Sequence, residues 1–351
     1  MAAADRQLGA AAQSHRVIIE GVKPEVDCGR FPIKRISGEQ VEVEADVFID
    51  GHDALSCALL YRRKGAARWS EKLMEPLVND RWAATFTVDG LGRYQYTIVG
   101  WHDPFKGWQR DLEKRIDAGQ DLTIDLLIGA ELIDDAAGRA PPRDANRLRR
   151  YAAALRAPDP ERARAAALDA RLAGLMALHS SRDHHTRYAR ELEVVVDPPR
   201  ARFSTWYELF PRSTAAEPGV HGTFADLERW VPRIAELGFD VLYLPPIHPI
   251  GRTFRKGRNN ALTADPKDVG SPWAIGGPEG GHKSIHPDLG TLDDFKRLLA
   301  TARAHDIDVA LDIAFQASAD HPYVREHPEW FRRRPDGSIQ YAENPPKKYQ
   351  D

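Results

Sequence analysis

Phe203-Ser204-Thr205-Trp206-Tyr207-Glu208-Leu209-Phe210, then Val241-Leu242-Tyr243-Leu244, then Ile307-Asp308-Val309-Ala310-Leu311-Asp312-Ile313-Ala314-Phe315 are three apolar runs separated by two stretches of helical periodicity. Short runs rich in branched and aromatic residues read as strands. The first intervening stretch opens on Thr223 with Asp226 three residues later, a near capping box, and carries Phe224, Leu227, Val231, Ile234 and Leu237 at helical spacing before Gly238 stops it. Pro232 inside that pattern predicts a kink or a break, because proline has no N–H to give the preceding turn. The second stretch repeats the design, with Thr291 as cap, Asp294 at the third position, Leu292, Phe295, Leu298, Leu299 and Ala302 facing inward, and Asp306 at the exit. Pro245-Pro246 ends the second strand, since neither residue can donate to a sheet ladder. Val309, Leu311 and Ile313 share one face of the third run, with Asp312 and Gln316 near its C-terminal end. Strand, helix, strand, helix, strand predicts parallel strands covered on the outside by helices, the first part of a (β/α)8 barrel, with chemistry at the C-terminal strand ends.

Before this segment the composition changes twice. Over residues 17–128 the period is two: Val41, Val43, Ala45, Val47 and Ile49 alternate with Glu42, Glu44, Asp46 and Phe48, and similar alternation recurs at Trp82, Ala84, Phe86 and Val88 and at Tyr94, Tyr96 and Ile98. Short alternating strands between Gly, Asp and Asn turns predict an immunoglobulin-like antiparallel β-sandwich. Over residues 132–192 the chain is rich in Ala and Arg, with Leu148, Tyr151 and Leu155 on one face, a Pro158-Asp159-Pro160 break, and Leu168, Leu172, Leu175 and Met176 on the next, which predicts two paired helices. The expected organisation is therefore a disordered tail over 1–15, a sandwich over 16–130, a helical insertion over 131–195, and a partial barrel over 196–351.

The 351 residues leave room for two or three cores. A formal net charge of -3 offers no global attraction to nucleic acid or to acidic membranes, and the arginines of the helical region alternate with Asp and Glu as on a solvated face. Two cysteines, Cys28 and Cys57, suit free thiols in a reducing cytoplasm. The Ala-rich start lacks an apolar signal core and no run approaches a membrane span, so neither membrane nor nucleic acid is an expected partner.

Four motifs carry a resemblance: Trp206-Tyr207-Glu208-Leu209-Phe210-Pro211-Arg212, Leu244-Pro245-Pro246-Ile247-His248-Pro249-Ile250-Gly251, Arg255-Lys256-Gly257-Arg258-Asn259-Asn260, and Ala342-Glu343-Asn344-Pro345-Pro346-Lys347-Lys348-Tyr349-Gln350-Asp351. Together they resemble the maltose-1-phosphate maltosyltransferases of the α-amylase superfamily, along the whole chain. The resemblance implies a retaining transfer of a maltosyl unit from α-maltose 1-phosphate to the non-reducing end of an α-1,4-glucan, with release of phosphate, in glycogen-type synthesis. It implies no metal or organic cofactor, and a homodimer to which the helical insertion contributes. In α-amylase relatives a nucleophilic Asp ends the fourth strand and an acid/base Glu ends the fifth, whereas this sequence stops at Asp351, in the excursion after strand three. Both carboxylates are thus expected beyond Asp351, and the 351-residue chain is expected to be inactive alone.

The candidate site residues bind substrate. Asp312 at a strand end can orient the sugar or brace the catalytic loops, or it can make a structural salt bridge. Gln316 stands where ordinary amylases carry Asn-His, a departure that matches the maltosyltransferase pattern and argues against a plain amylase. Lys256 and Asn260, a cation and an amide on the loop after strand two, can direct hydrogen bonds to sugar hydroxyls; the bland alternative is an exposed basic run over 252–258. Asn344, Lys347 and Tyr349 join an amide, an ammonium and a phenol that the resemblance places on the donor phosphate, with Ser271 as a weaker member of that pocket. Asp312, Gln316, Lys256 and Asn260 are expected to face one cavity. The glycine-rich stretch 276–284 reads as a mobile site loop, not a phosphate loop, because Lys283 does not follow a glycine and no helix begins there. His179, His184 and His185 lack zinc-ligand spacing. Two rival readings are an amylase-type hydrolase or trehalose-forming enzyme on the same barrel, and a noncatalytic glucan-binding or dimerisation fragment.

Overall fold

The computed structural model describes residues 16–261 and 263–340, and the chain divides into two compact units between Ala201 and Arg202. In the first unit, β1 (Val17–Lys23), β3 (Gln40–Ile49), β7 (Arg81–Thr87) and β6 (Glu75–Pro76) form one antiparallel sheet in that order. A second sheet runs β2 (Ile33–Ile36), β10 (Leu192–Asp197), β8 (Gly92–His102), β4 (Leu55–Arg63), β5 (Ser70–Leu73), with β9 (Thr186–Arg187) added on β8. All its pairs are antiparallel except β2 with β10.

The period of two decides which side chains meet. Val41, Val43, Ala45 and Val47 are fully buried and share one core with Trp82, Phe86, Tyr96, Ile98, Leu192 and Val194 from both sheets. Trp82 enters this core without a stranded donor, because its indole N–H donates to the Val47 carbonyl at 3.0 Å. Cys28 and Cys57 are free thiols, and burial pushes the Cys57 thiol up to about 12.

Two boundaries differ from the sequence expectation. The sandwich strands stop at His102, not near residue 130, because Asp103 caps a helix by accepting from the Lys106 N–H at 3.0 Å while Pro104 occupies its first turn. Five helices follow, α1 (Pro104–Asp117), α2 (Thr123–Arg139), α3 (Pro142–Leu155), α4 (Pro160–Ala167) and α5 (Ala170–His179), of which the last four reach into the range 132–192 where two were expected. The chain then returns to the sheet as β10, inside the range expected to be helical, since Leu192, Val194 and Val196 alternate into the sheet core. The helices are therefore an excursion between two strands of one sheet. Leu148, Leu155, Leu172, Leu175 and Met176 are buried in their common core, as packing residues, while Leu168 is exposed. Gly129 on α2 lies beneath Trp108 of α1, where an added Cβ would come within 2.0 Å of the indole, so these two helices can cross closely only at glycine.

The second unit holds a parallel sheet in the order β11 (Trp206–Glu208), β12 (Val241–Leu244), β13 (Asp308–Leu311). β12 has the bounds expected; β11 and β13 are shorter than the runs 203–210 and 307–315. Phe203, Ile313 and Phe315 lie exposed outside the ladder, and Leu311 is partly exposed, so Val309, Leu311 and Ile313 do not form one buried face. Thr223 and Thr291 both close full capping boxes with Asp226 and Asp294. The first helix breaks, as Pro232 requires, into α6 (Phe224–Glu228) and α7 (Val231–Glu236); the second runs unbroken as α8 (Leu292–Ala304). Phe224, Leu227, Ile234, Leu298 and Ala302 pack on the face of the sheet that carries Tyr207, Leu242 and Val309. The opposite face carries Trp206, Glu208 and Tyr243.

Candidate functional site

The C-terminal ends of β12 and β13 set the site. The Asp312 N–H donates to the Leu244 carbonyl at 2.9 Å, which carries the ladder one residue past β13 and places Asp312 at the sheet's end. Its carboxylate accepts a 2.6 Å hydrogen bond from the indole N–H of Trp273. Desolvation raises the Tyr243 phenol above its ordinary value, followed by its hydrogen bond to Asp312 and the charges of Asp312 and Glu208. Two carboxylates and a phenol thus meet on the open face of the sheet. Asp312 belongs to this cluster, and among the described residues it forms no salt bridge to an arginine.

Trp273 ties that cluster to the loop after β12. It stands edge-on to Phe210, with ring centroids 5.9 Å apart, and Trp273, Phe210, Lys256 and Ser271 line one cavity of about 640 Å³. That volume lies within the roughly 300–1,000 Å³ usual for small-molecule sites. Arg212 crosses the cavity's edge and donates to the Gly270 carbonyl at 2.8 Å, and burial lowers its pKa from the ordinary arginine value. The basic run 252–258 is an ordered scaffold. Arg252 pairs with Glu279 at 2.6 Å and Arg258 with Asp268 at 3.2 Å, while Arg255 donates to the carbonyls of Gly251, Asp268 and Ile250 at 2.8, 3.0 and 2.9 Å. Asp320 fixes the same loop by accepting from the N–H groups of Arg252 and Thr253 at 2.6 and 2.7 Å and from the Thr253 hydroxyl at 2.6 Å.

The predicted residues therefore separate. Lys256 and Ser271 share a cavity, Asp312 reaches it through Trp273, and Asn260 ends the 3₁₀ turn Arg258–Asn260 of the same loop. Gln316 is exposed and lines a different cavity of about 540 Å³ with His282, His321, Tyr323 and Trp330, so the expectation of one common cavity is corrected. The chain turns away after Asp312, the last residue whose backbone N–H bonds to β12. Asn344, Lys347 and Tyr349 lie outside the described residues.

The sequence reading passed over Trp273 as a site residue, although Ser271-Pro272-Trp273 places an aromatic donor directly after a proline turn. Within the glycine-rich stretch 276–284, Gly276 and Gly281 pack directly against His321. His179, set aside as a zinc ligand, has an acidic neighbour: its Nε2 lies 3.1 Å from an Asp144 carboxylate oxygen. Among the described residues, His221, His286 and Asp288 bring one ligand atom each within 4.8 Å of one another. The two imidazoles stack 5.6 Å apart at 16°, and Nδ1 of His286 already accepts the Asp288 N–H at 3.2 Å. Near-parallel rings aim their lone pairs side by side instead of at one point, so the trio fits loop packing better than tetrahedral metal binding.

Residues 15–198 match the family model for alpha-1,4-glucan:maltose-1-phosphate maltosyltransferase, domain N/S. The chain is 52% identical over 336 residues to the alpha-1,4-glucan:maltose-1-phosphate maltosyltransferase of Chlorobaculum tepidum, covering 96% of this chain and 50% of that protein. It is 52% identical over 343 residues to the protein of the same name from Myxococcus xanthus, covering 95% and 52%. With the Pseudomonas aeruginosa protein of that name the identity is 46% over 348 residues, covering 99% and 52%. The chain spans about half the length of these curated relatives. Among solved structures, an alpha-amylase from Lactobacillus plantarum aligns at a TM-score of 0.33 and 36% identity, over 40% of this chain and 29% of that one.

Proposed function

This chain belongs to the alpha-1,4-glucan:maltose-1-phosphate maltosyltransferase family, and from that premise we propose that it supplies the donor-binding part of a retaining glycosyltransferase. The enzyme moves a maltosyl unit from α-maltose 1-phosphate to the non-reducing end of an α-1,4-glucan and releases phosphate, in glycogen-type synthesis. The first unit is an immunoglobulin-like sandwich with a helical excursion, and the second is the opening portion of a (β/α)8 barrel. The observation that carries the reading is the shared cavity of Lys256, Ser271 and Trp273, hydrogen-bonded to Asp312 at the strand ends.

Each group has a task in that reading. The Lys256 ammonium and the Ser271 hydroxyl bind the donor by charge and hydrogen bonding, with Asn260 on the same loop and Asn344, Lys347 and Tyr349 completing the phosphate pocket. Asp312, held by Trp273, orients the sugar ring, and Gln316 contacts it from the neighbouring cavity. Retention requires two displacements by a nucleophilic and an acid/base carboxyl about 5 Å apart. The described residues contain three strands of the parallel sheet, so the two carboxyls expected at strands four and five are not among them. Phosphate is a good leaving group, which makes donor positioning and exclusion of water the main tasks of this half.

The enzyme is a homodimer in the cytoplasm. The free thiols of Cys28 and Cys57 support a reducing compartment, and the exposed Ile124, Leu127 and Ile128 on α2 support an interface on the helical excursion. Calorimetric titration of the chain with α-maltose 1-phosphate tests the donor reading. Lys256→Ala is expected to weaken donor binding by about ten- to a hundredfold, the equivalent of a charge-assisted contact of about 1.5–3 kcal/mol. Binding of a neutral maltooligosaccharide should stay unchanged. Equal loss for both ligands would reject the role given to Lys256, and a wild-type chain that does not bind the donor would reject the proposed function.

A further inference from the structure

We infer that His321 and His282 are positioning residues of the donor site, a tautomer-fixed pair that holds the carbonyl of Ala314 and thereby sets where Gln316 stands. The inference rests on the donor reading for its consequence but not for its geometry. The chain leaves the sheet after Asp312, and two residues before Gln316 the Ala314 carbonyl needs a partner in place of the ladder. His282 provides it, with Nε2 at 2.7 Å from that oxygen. Two residues after Gln316, the Ser318 N–H donates to the Ile275 carbonyl at 2.7 Å and the buried Ser318 hydroxyl to the Gly276 carbonyl at 2.9 Å. Gln316 is thus suspended between two fixed points on the loop that contains His282.

The hydrogen bonds run in one direction. The Tyr323 backbone N–H donates to His321 Nδ1 at 3.1 Å, so that nitrogen keeps its lone pair and the ring proton lies on Nε2. Nε2–H of His321 then donates to His282 Nδ1 at 2.9 Å, which leaves the His282 proton on Nε2, where it meets Ala314. An added proton on either ring would place two N–H groups head to head. The surroundings enforce this arrangement. His321 is 1% exposed, and a Cβ on Gly281 would fall 2.2 Å from its Nε2 and one on Gly276 2.6 Å from its Cβ. The glycine-rich loop is therefore shaped around one imidazole.

The titratable groups facing the pair are His248 on the loop after β12, with its ring 5.6 Å from His282, and Tyr323 and Glu326 on α9 (Tyr323–Glu326). Lys283 adjoins His282 and lies 6.0 Å from the Tyr323 ring. Burial is the largest influence on His321, with His282 and His248 acting in the same direction and Glu326 opposing, and it brings the His321 pKa down to about 4. His321 is accordingly uncharged over the whole neutral range.

Long-range 1H–15N NMR of the labelled chain reads this directly. Both rings are expected in the Nε2–H tautomer, with His321 uncharged near pH 5.5; a charged His321 at that pH, or an Nδ1–H tautomer in either ring, overturns the inference without any variant. His282→Phe keeps ring volume and removes both nitrogens. It should shift the Gln316 amide signals and weaken α-maltose 1-phosphate binding by about tenfold, with the effect of one lost hydrogen bond transmitted to the ligand. His321→Gln keeps an N–H donor for His282 and should retain the Gln316 signals. Gln316 signals unmoved in His282→Phe would overturn the positioning role. A wild-type chain that shows the two tautomers but does not bind α-maltose 1-phosphate would remove the proposed function and leave the positioning of Gln316 to be decided by its own signals.

Discussion

Lowering the pH below about 6.5 should destabilise the second unit through His321. The folded-state pKa of this histidine is depressed from about 6.5 to about 4, so between those values the unfolded chain binds a proton that the folded chain does not. Stability therefore rises with pH through that window, is complete above about 6.5, and is lost as pH falls toward 4. Between pH 7.5 and pH 5 the loss attributable to His321 amounts to about 2 kcal/mol, taking about 1.4 kcal/mol for each decade of proton binding. Burial also lowers the pKa of His248 and His286, which act in the same direction. Asp226 and Asp294 lie below their ordinary values, in both cases chiefly through the hydroxyl of the capping threonine, so their contributions persist at pH 5 and fail only at lower pH. The assay is urea unfolding at the two pH values, followed by hydrogen exchange at amides of the second unit, for the wild-type chain and His321→Gln. The gap in stability between them should shrink by about 2 kcal/mol on acidification. Parallel pH dependences for the two proteins would refute the reasoning, since the glutamine has no proton to gain.

Other expectations follow from close packing and capping. Gly251→Ala would bring a Cβ to 2.1 Å from the Ser318 hydroxyl oxygen, and a loss of about 1–3 kcal/mol in thermal unfolding, partly recovered in Gly251→Ala with Ser318→Gly, is the expected result. Leu148→Ala should cost about 2–5 kcal/mol, because Leu148 is fully buried in the core of the helical excursion; a change under about 1 kcal/mol by denaturant unfolding would mean that core is not well packed. Thr291→Ala removes one half of the capping box on α8 and is expected to lower stability by about 1 kcal/mol in the same measurement.

What the sequence determined by itself is local. Thr223 with Asp226 and Thr291 with Asp294 close their capping boxes within three residues, Pro232 breaks its helix, and Pro245-Pro246 ends β12, all without help from distant contacts. The alternation of Val41, Val43, Ala45 and Val47 likewise fixed a buried face, because a strand's two faces follow from backbone geometry. The Asp103-Pro104 start of α1 was also legible, but the sandwich pattern before it was carried too far. Only the tertiary structure decided that Leu192, Val194 and Val196 return to the sheet after five helices, since a strand's partners are chosen by pairing and burial across long separations. The same holds at the site. Lys256 and Ser271 share a cavity, Trp273 reaches Asp312 across 39 residues, and His282 meets His321 across another 39, while Gln316 turns into a separate cleft. No spacing in the sequence encodes those meetings, because they depend on where three loops settle against one another once the parallel sheet has brought their ends together.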